Sequence, residues 1–429
     1  MGIELALIII ITFALCLFAG IPVIFSICIP AIIVMLIRDF ELMVVPQMLS
    51  AGVQSFTLLA VPFFILAGNI MNTGGITKRI FDFCLALVGH IKGSLGHVII
   101  VAEMIFSGIS GSAAADAAGI GMIGNKAMVN EGYDKDFGAA IVASSSVLGP
   151  IIPPSIIMVI YAIEANVSIA ALFIAGIIPG IIIGLGLMGV IYFLVITGRE
   201  KVPERKRATG SEIIGYLRRG FLAVMAPLII LAGMFSGGIT PTEAGILATI
   251  YCAIVSAIYG EFEIKQLPKI FMNSAIETAQ VMFMFAAASV LSWVVTSTRI
   301  PVLASDLVLS ITNDKYLFLL IVNIFLLILG CLIESIAGML IVLPIFLPIA
   351  ASMGIDLVHF GVIVTYAMSI GLITPPMGAG LFIVCGVTET KFDRVVRKAV
   401  PFIIVHILAL MLITYLPILS LWLPSLMRL

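Results

Sequence analysis

The chain has 429 residues, 62% of them hydrophobic and only 10% charged, with 22 Lys and Arg against 23 Asp and Glu. Soluble domains carry roughly 25% charged residues, so the composition excludes a water-soluble protein, and a net charge of −1 gives no sign of a nucleic-acid partner. Apolar stretches near 20 residues recur without strand-like alternation, which selects an all-α polytopic bundle over an outer-membrane barrel. No Walker-type loop is present, so no ATPase is visible in the chain. The cysteines Cys16, Cys28, Cys84, Cys252, Cys331 and Cys385 lack metal spacing and read as packing residues.

In chain order, residues 1–57 are expected to be N-terminal scaffold spans. The start lacks a basic n-region and a cleavage site, so residues 3–19 read as a retained first span. Two spans within residues 1–38 are punctuated at Gly20-Ile21-Pro22. Residues 58–175 form a first repeat, and residues 176–277 add scaffold spans around a polar loop at 199–220. That loop holds Arg199, Lys201, Arg205, Lys206, Arg207, Arg218 and Arg219, and by the positive-inside rule it is cytoplasmic. A second repeat occupies 278–387, and a C-terminal span lies within 388–429, at about 401–423.

The repeats are visible because one segment occurs twice. Gly149-Pro150-Ile151-Ile152-Pro153-Pro154-Ser155 matches Gly371-Leu372-Ile373-Thr374-Pro375-Pro376-Met377. Gly108 and Gly330, Gly132 and Gly354, Asp134 and Asp356, and Val142 and Val364 keep the same offset (330 − 108 = 222). Two adjacent prolines cannot continue a helix. Irregular backbone at membrane depth survives only where protein or a cavity surrounds it. Paired broken helices at matching places point to the binding site of a secondary transporter. Upstream of each break, tiny-residue stretches at 106–113 and 330–335 sit too close to the next loop for two full crossings, and read as re-entrant hairpins. Lys126 and Lys135 in the first loop, with no Lys or Arg at 351–360, orient the two hairpins oppositely as an inverted repeat.

Charge is scarce here: residues 137–198 hold only Glu164, and 316–355 only Glu334. A cation site would therefore use released carbonyls and hydroxyls. In the first half the candidates for sodium are Ser107, Ser110, Gly149, Ile152 and Ser155. In the second they are Gly330, Gly371, Thr374 and Met377, the apolar ones through backbone oxygen only. The bland alternative is that the glycines permit close helix packing and the serines bond to their own turn. Ser112, Asp116, Arg299, Glu334 and Ser335 are substrate-binding candidates. Asp116 and Glu334 are either functional carboxylates or caps of hairpin N–H groups. Arg299 is either a contact for an anionic substrate or a snorkelling interfacial cation. His90, His97 and His359 lie near span ends and form no ligand cluster.

Several ordered motifs resemble the large membrane subunit of tripartite ATP-independent periplasmic (TRAP) transporters. They are Ala67-Gly68-Asn69-Ile70-Met71 with Gly74-Gly75-Ile76, Gly108 through Asp116, and Gly149 through Ser155. Thr240-Pro241-Thr242-Glu243-Ala244-Gly245, His359-Phe360-Gly361 and Gly371 through Gly378 with Leu381-Phe382 complete the set. The resemblance implies an elevator-type fold with two hairpins and two broken helices, in a bacterial or archaeal inner membrane. It implies sodium-coupled uptake of an organic acid (a C4-dicarboxylate, sialic acid or another sugar acid) and no cofactor besides the coupling ion. The implied partners are a periplasmic binding protein and a small four-helix membrane subunit. With no four-span block before the first repeat, that subunit is expected as a separate chain. A stand-alone divalent-anion/sodium symporter shares the plan and is the main rival. An intramembrane protease would need a facing Asp pair or a Ser–His pair, which the sequence does not supply.

Overall fold

Long apolar runs leave the backbone no water to bond, so it must close its hydrogen bonds within helices. A computed structural model describes residues 2–261 and 264–427, and among these every regular element is helical. Eight helices are long and apolar enough to cross a membrane: Phe56–Thr73, Ile169–Ile196, Gly210–Phe235, Pro241–Ile258, Ile264–Ser297, Lys315–Leu332, Ser335–Ser352 and Phe392–Tyr415. Shorter apolar helices, among them Ser94–Ser110, Ile156–Ala165, Leu357–Gly371 and Ala379–Thr388, lie between them.

Two boundaries differ from the sequence expectation. The polar loop ends at 209, because Thr209 and Glu212 form a reciprocal capping box that starts the helix Gly210–Phe235. The C-terminal apolar stretch is two helices, Phe392–Tyr415 and Ile418–Leu426, separated at Pro417, which cannot continue the first.

The duplication is exact enough to set element positions. Within a few residues, a shift of 222 carries Ser94–Ser110 onto Lys315–Leu332 and Lys135–Ser146 onto Leu357–Gly371. It likewise carries Ile156–Ala165 onto Ala379–Thr388 and Ile169–Ile196 onto Phe392–Tyr415. The register also reaches the outer helices, pairing Val23–Ile37 with Pro241–Ile258 and Ile76–Val88 with Ile300–Ile311. Packing repeats in the same way, with Val23–Ile37 against Leu267–Ser297 and Pro241–Ile258 against Ala60–Thr73. In the second pair, Thr249 Oγ1 donates to the Phe63 carbonyl at 2.9 Å.

The matched Gly and Asp residues before each broken helix have a local explanation. Gly132 and Gly354 adopt φ of 86° and 68°, the left-handed region that glycine enters without a Cβ penalty. Asp134 then accepts from Phe137 N at 2.8 Å, and Asp356 from Val358 N and His359 N at 2.8 and 3.1 Å. Both aspartates are helix N-caps.

Helix Phe392–Tyr415 relates the two hairpin bases. Near its start Lys398 pairs with Glu200 in the polar loop. The same loop reaches the base of the first hairpin through Arg205–Glu131 and Lys92–Glu204. Near its end the Thr414 carbonyl meets His359 Nε2 at 3.3 Å, in the first turn of helix Leu357–Gly371, just past the loop that closes the second hairpin. Lys398 and Thr414 are 16 residues apart (414 − 398 = 16), about 24 Å along a helix. The two hairpins therefore enter from opposite ends of the bundle.

Candidate functional site

The first hairpin turns where helix Ser94–Ser110 meets Gly111, whose φ of 60° is left-handed. A Cβ there would lie 2.6 Å from the Pro154 carbonyl oxygen, so the tip touches the break of the next helix. Ile156 N donates to the Gly111 carbonyl across this contact. Ser155 closes the break by donating to the Pro150 carbonyl at 2.6 Å while accepting from Met158 N at 3.3 Å. The second tip is held alike, with Ser335 Oγ donating to the Met368 carbonyl at 3.0 Å. A Cβ on Gly371 would stand 2.2 Å from the Gly330 carbonyl carbon, so these two glycines bring backbones together.

Behind the first tip lies a buried polar cluster. Ser107 Oγ donates to Asp116 Oδ2 at 3.0 Å, and both residues are fully buried. Gly149 abuts the same carboxylate. A π-helical turn, Ala117–Gly121, follows Asp116 directly; such bulges widen a helix locally and often mark functional sites. Glu103, one turn before Ser107 on the same helix face, is fully buried and neither carboxyl oxygen has a hydrogen-bond partner. Its electrostatic neighbour is Asp116.

In front of the tips a cavity of about 380 Å³ opens between the hairpins and two outer helices. Gly111, Ser112 and Ala113 reach it from the first tip, Glu334 and Ile336 from the second, and Pro150, Ile156, Leu372 and Gly380 from the two breaks. Asn69 and Asn72 on Phe56–Thr73 face it, with Glu277 and Gln280 on Leu267–Ser297. Asn69 Nδ2 donates to Ser274 Oγ at 3.0 Å and to Glu277 Oε2 at 3.4 Å, fixing the outer wall. A second cleft, of about 410 Å³, beside Lys78, Arg79 and Arg219 lies away from both breaks. There Arg79 is already held by Glu261 at 2.7 Å and stacks 3.8 Å over Tyr259.

The candidates from the sequence sort by this geometry. Ser107, Gly149 and Asp116 converge in the buried polar cluster behind the first tip, and Asp116 is not part of the cavity wall. The side chain of Ser110 lies outside the described residues. Ile152 packs on Gly180 of helix Ile169–Ile196. Gly330 and Gly371 meet, and Thr374 Oγ1 donates back to the Ile370 carbonyl at 2.8 Å. The Met377 side chain is 55% exposed. Ser112 and Glu334, matched across the repeat, both line the cavity. Glu334 also caps helix Ser335–Ser352, accepting from Ile336 N and Ala337 N at 3.1 and 3.2 Å. Two further substrate candidates stand apart from this cavity. Arg299 is exposed in the turn after Ser297 and does not line the cavity, because that turn closes at the end of the helix remote from Glu277. Ser335 faces Met368 and not the cavity.

Asn69, Asn72, Gln280, Glu277 and Glu103 were not singled out by the sequence reading. For the two glutamates a signal existed, since each is an acidic residue inside an apolar helix. Three histidines are buried and bonded to main chain: His97 meets the Lys92 carbonyl, His359 that of Thr414, and His406 that of Ser144. Among the described residues no His/Cys/Asp/Glu group could hold a metal ion by those ligands alone, and the six cysteines are free.

Opposed hairpins, paired breaks and a cavity between them define a multi-pass membrane protein of the secondary-transporter class. Residues 10–419 match the family model of the tripartite ATP-independent periplasmic transporter, DctM component, and the chain belongs to this family of large permeases. It is 39% identical over 412 residues to the sialic acid TRAP transporter large permease SiaM of Vibrio cholerae, covering 96% of each chain. Against the C4-dicarboxylate TRAP transporter large permease DctM of Pseudomonas aeruginosa it is 41% identical over 373 residues, 87% of each. Among solved structures, the Alcanivorax borkumensis YdaH transporter shares the fold, with a TM-score of 0.60 at 16% identity over 86% of this chain and 87% of that one.

Proposed function

We propose that the chain carries an organic acid inward across the inner membrane, coupled to sodium, by an elevator movement. In this reading the hairpins and broken helices form the moving part, and the helix pairs around Phe56–Thr73 and Leu267–Ser297 form the fixed scaffold. A periplasmic binding protein delivers the acid, and a small four-helix membrane subunit braces the scaffold. The observation that carries the proposal is the cavity, which is bounded by both tips and both breaks on one side and by the outer helices on the other.

Electrostatics supply the coupling. Asp116 and Glu103 sit behind the first tip, and net negative charge there disfavours an incoming carboxylate. A sodium ion bound between Asp116, Ser107 and the carbonyls near Gly149 cancels that repulsion. Ion and acid then favour each other's binding, as linkage requires. Reconstitution of the chain with both partners in liposomes tests this. Accumulation of an organic acid under an inward sodium gradient is the expected result. Equal accumulation under a proton gradient without sodium would overturn the coupling, and uptake without the binding protein would overturn its delivery role.

A further inference from the structure

The acid-uptake reading leaves open which acid, and the cavity wall narrows the choice. Among the described residues its lining includes two carboxylates, Glu277 on the outer helix and Glu334 at the second tip, and no Lys, Arg or His. The other polar groups are the amides of Asn69, Asn72 and Gln280 and the hydroxyl of Ser112. The carboxylates are unevenly placed. Glu334 belongs to the second tip and Glu277 to the scaffold, whereas the first tip offers Ser112 and the start of helix Ile156–Ala165. At that helix start the N–H groups of Ile156 and Met158 are taken by the Gly111 carbonyl and Ser155 Oγ, so the Ser112 hydroxyl and the Asn72 amide are the groups there that can donate to an anion.

One substrate carboxylate therefore has a place, against the first tip and in reach of Ser112 and Asn72. A second carboxylate, at the far end of a short chain, would face Glu277 and Glu334 with no cation between. Like charges a few ångströms apart in a partly dry site repel strongly. Hydroxyl groups meet the same wall favourably, because carboxylate and amide oxygens accept their protons. The volume of about 380 Å³ also leaves room for a body well beyond four carbons.

We infer that this permease takes a monocarboxylic acid whose remainder is rich in hydroxyl groups, a sugar acid, and that Glu277 is the residue that rejects dicarboxylates. The inference rests on the proposed acid-uptake function and makes it specific. Glu277 already accepts from Asn69, itself bonded to Ser274, so its carboxylate is held toward the cavity by a fixed wall.

The test is thermal unfolding of the purified full-length chain in sodium buffer with D-gluconate, N-acetylneuraminate, succinate or L-malate. The hydroxylated monocarboxylates are expected to raise Tm, and the dicarboxylates at equal concentration to have little effect. Glu277→Gln keeps the shape and the Asn69 contact while removing the charge. It should shift the preference toward succinate by roughly ten- to fifty-fold, and Glu277→Asp should retain the original preference. Both variants are checked first for an unchanged Tm without ligand; if Glu277→Gln fails to fold, the wild-type panel and Glu277→Asp still decide. Succinate stabilising the wild type as well as D-gluconate would overturn the inference and leave acid binding intact. An unchanged preference in Glu277→Gln would remove Glu277 from the selectivity. No response to any of the four acids would overturn the inference, and uptake of an organic acid by the reconstituted complex in liposomes then separates that failure from failure of the acid-uptake reading.

Discussion

A Cβ atom on Gly149 would stand 2.2 Å from Asp116 Oδ2. The glycine in the first broken helix is thus fitted to a carboxylate in the hairpin packed against it, and that carboxylate also takes the Ser107 hydroxyl. Its partner by duplication, Gly371, is fitted instead to the backbone of Gly330. The two halves share a backbone plan and differ in chemistry, since the position matching Asp116 is Gly338 (116 + 222 = 338).

The two glycines should respond differently to the same change. In Gly149→Ala the end of the Asp116 side chain must swing aside, costing about 1–3 kcal/mol and weakening the response to sodium. In Gly371→Ala the obstacle is main chain, which has no rotamer to change, so the loss should be larger. Thermal unfolding with and without sodium checks both. A sodium response at full strength in Gly149→Ala would separate Asp116 from the ion.

Glu103 offers a sharper separation of stability from binding. Its buried carboxyl has no hydrogen-bond partner, so the ionised form gains nothing from the fold and is costly to bury. Glu103→Gln should leave Tm in sodium-free buffer unchanged or raised. If its charge helps to hold the cation, apparent sodium affinity should fall about 5- to 30-fold, equivalent to roughly 1–2 kcal/mol. A lower Tm together with unaltered sodium affinity would reduce Glu103 to a packing residue.

The duplicated caps predict matching, independent losses. Asp134→Ala and Asp356→Ala each remove the side-chain acceptor for the first N–H groups of a broken helix. Each should cost about 1 kcal/mol. The caps belong to opposite ends of the bundle, so the double variant should show the sum within about 0.5 kcal/mol. Unfolding midpoints of the three variants decide this; a double loss far from additive would mean that the two halves unfold through shared contacts.

The breaks were legible in sequence because Gly-x-x-x-Pro-Pro forbids a helix locally, and an offset of 222 repeats that prohibition. Hairpins followed from spacing, and their opposition from the lysines of one loop. What stayed hidden was every relationship that depends on the chain folding back. Ser107 and Asp116 are nine residues apart and meet only because Gly111 turns the chain between them. Asp134 and Asp356 stood out as a matched pair, yet their role as caps appears only with the Gly132 and Gly354 turns. Glu277 is far in sequence from Ser112, and no local pattern announces that both face one cavity. Arg299 read in sequence as either a contact for an anionic substrate or a snorkelling cation, and the exposed turn in which it sits lies apart from the cavity.

The opposed hairpin bases lead to a topological test. Lys92 is exposed at the base of the first hairpin, beside the Glu204 of the polar loop, and Lys315 is exposed where the second begins. The positive-inside rule predicts the basic loop on the cytoplasmic side, and with opposed bases it predicts Lys315 on the periplasmic one. Single cysteines at these positions, in a background without the six native ones, should react with a membrane-impermeant maleimide from opposite faces. Cysteines at Ser112 and Glu334, which line the cavity from the two tips, should then report movement. If one cavity is exposed alternately to each side, sodium with substrate should change their accessibility from a given face together, as the population shifts between inward- and outward-open states. Labelling of Lys92→Cys and Lys315→Cys from the same face would rule out the inversion. Opposite faces with ligand-independent rates at the tips would retain the inversion and exclude alternating access through this cavity.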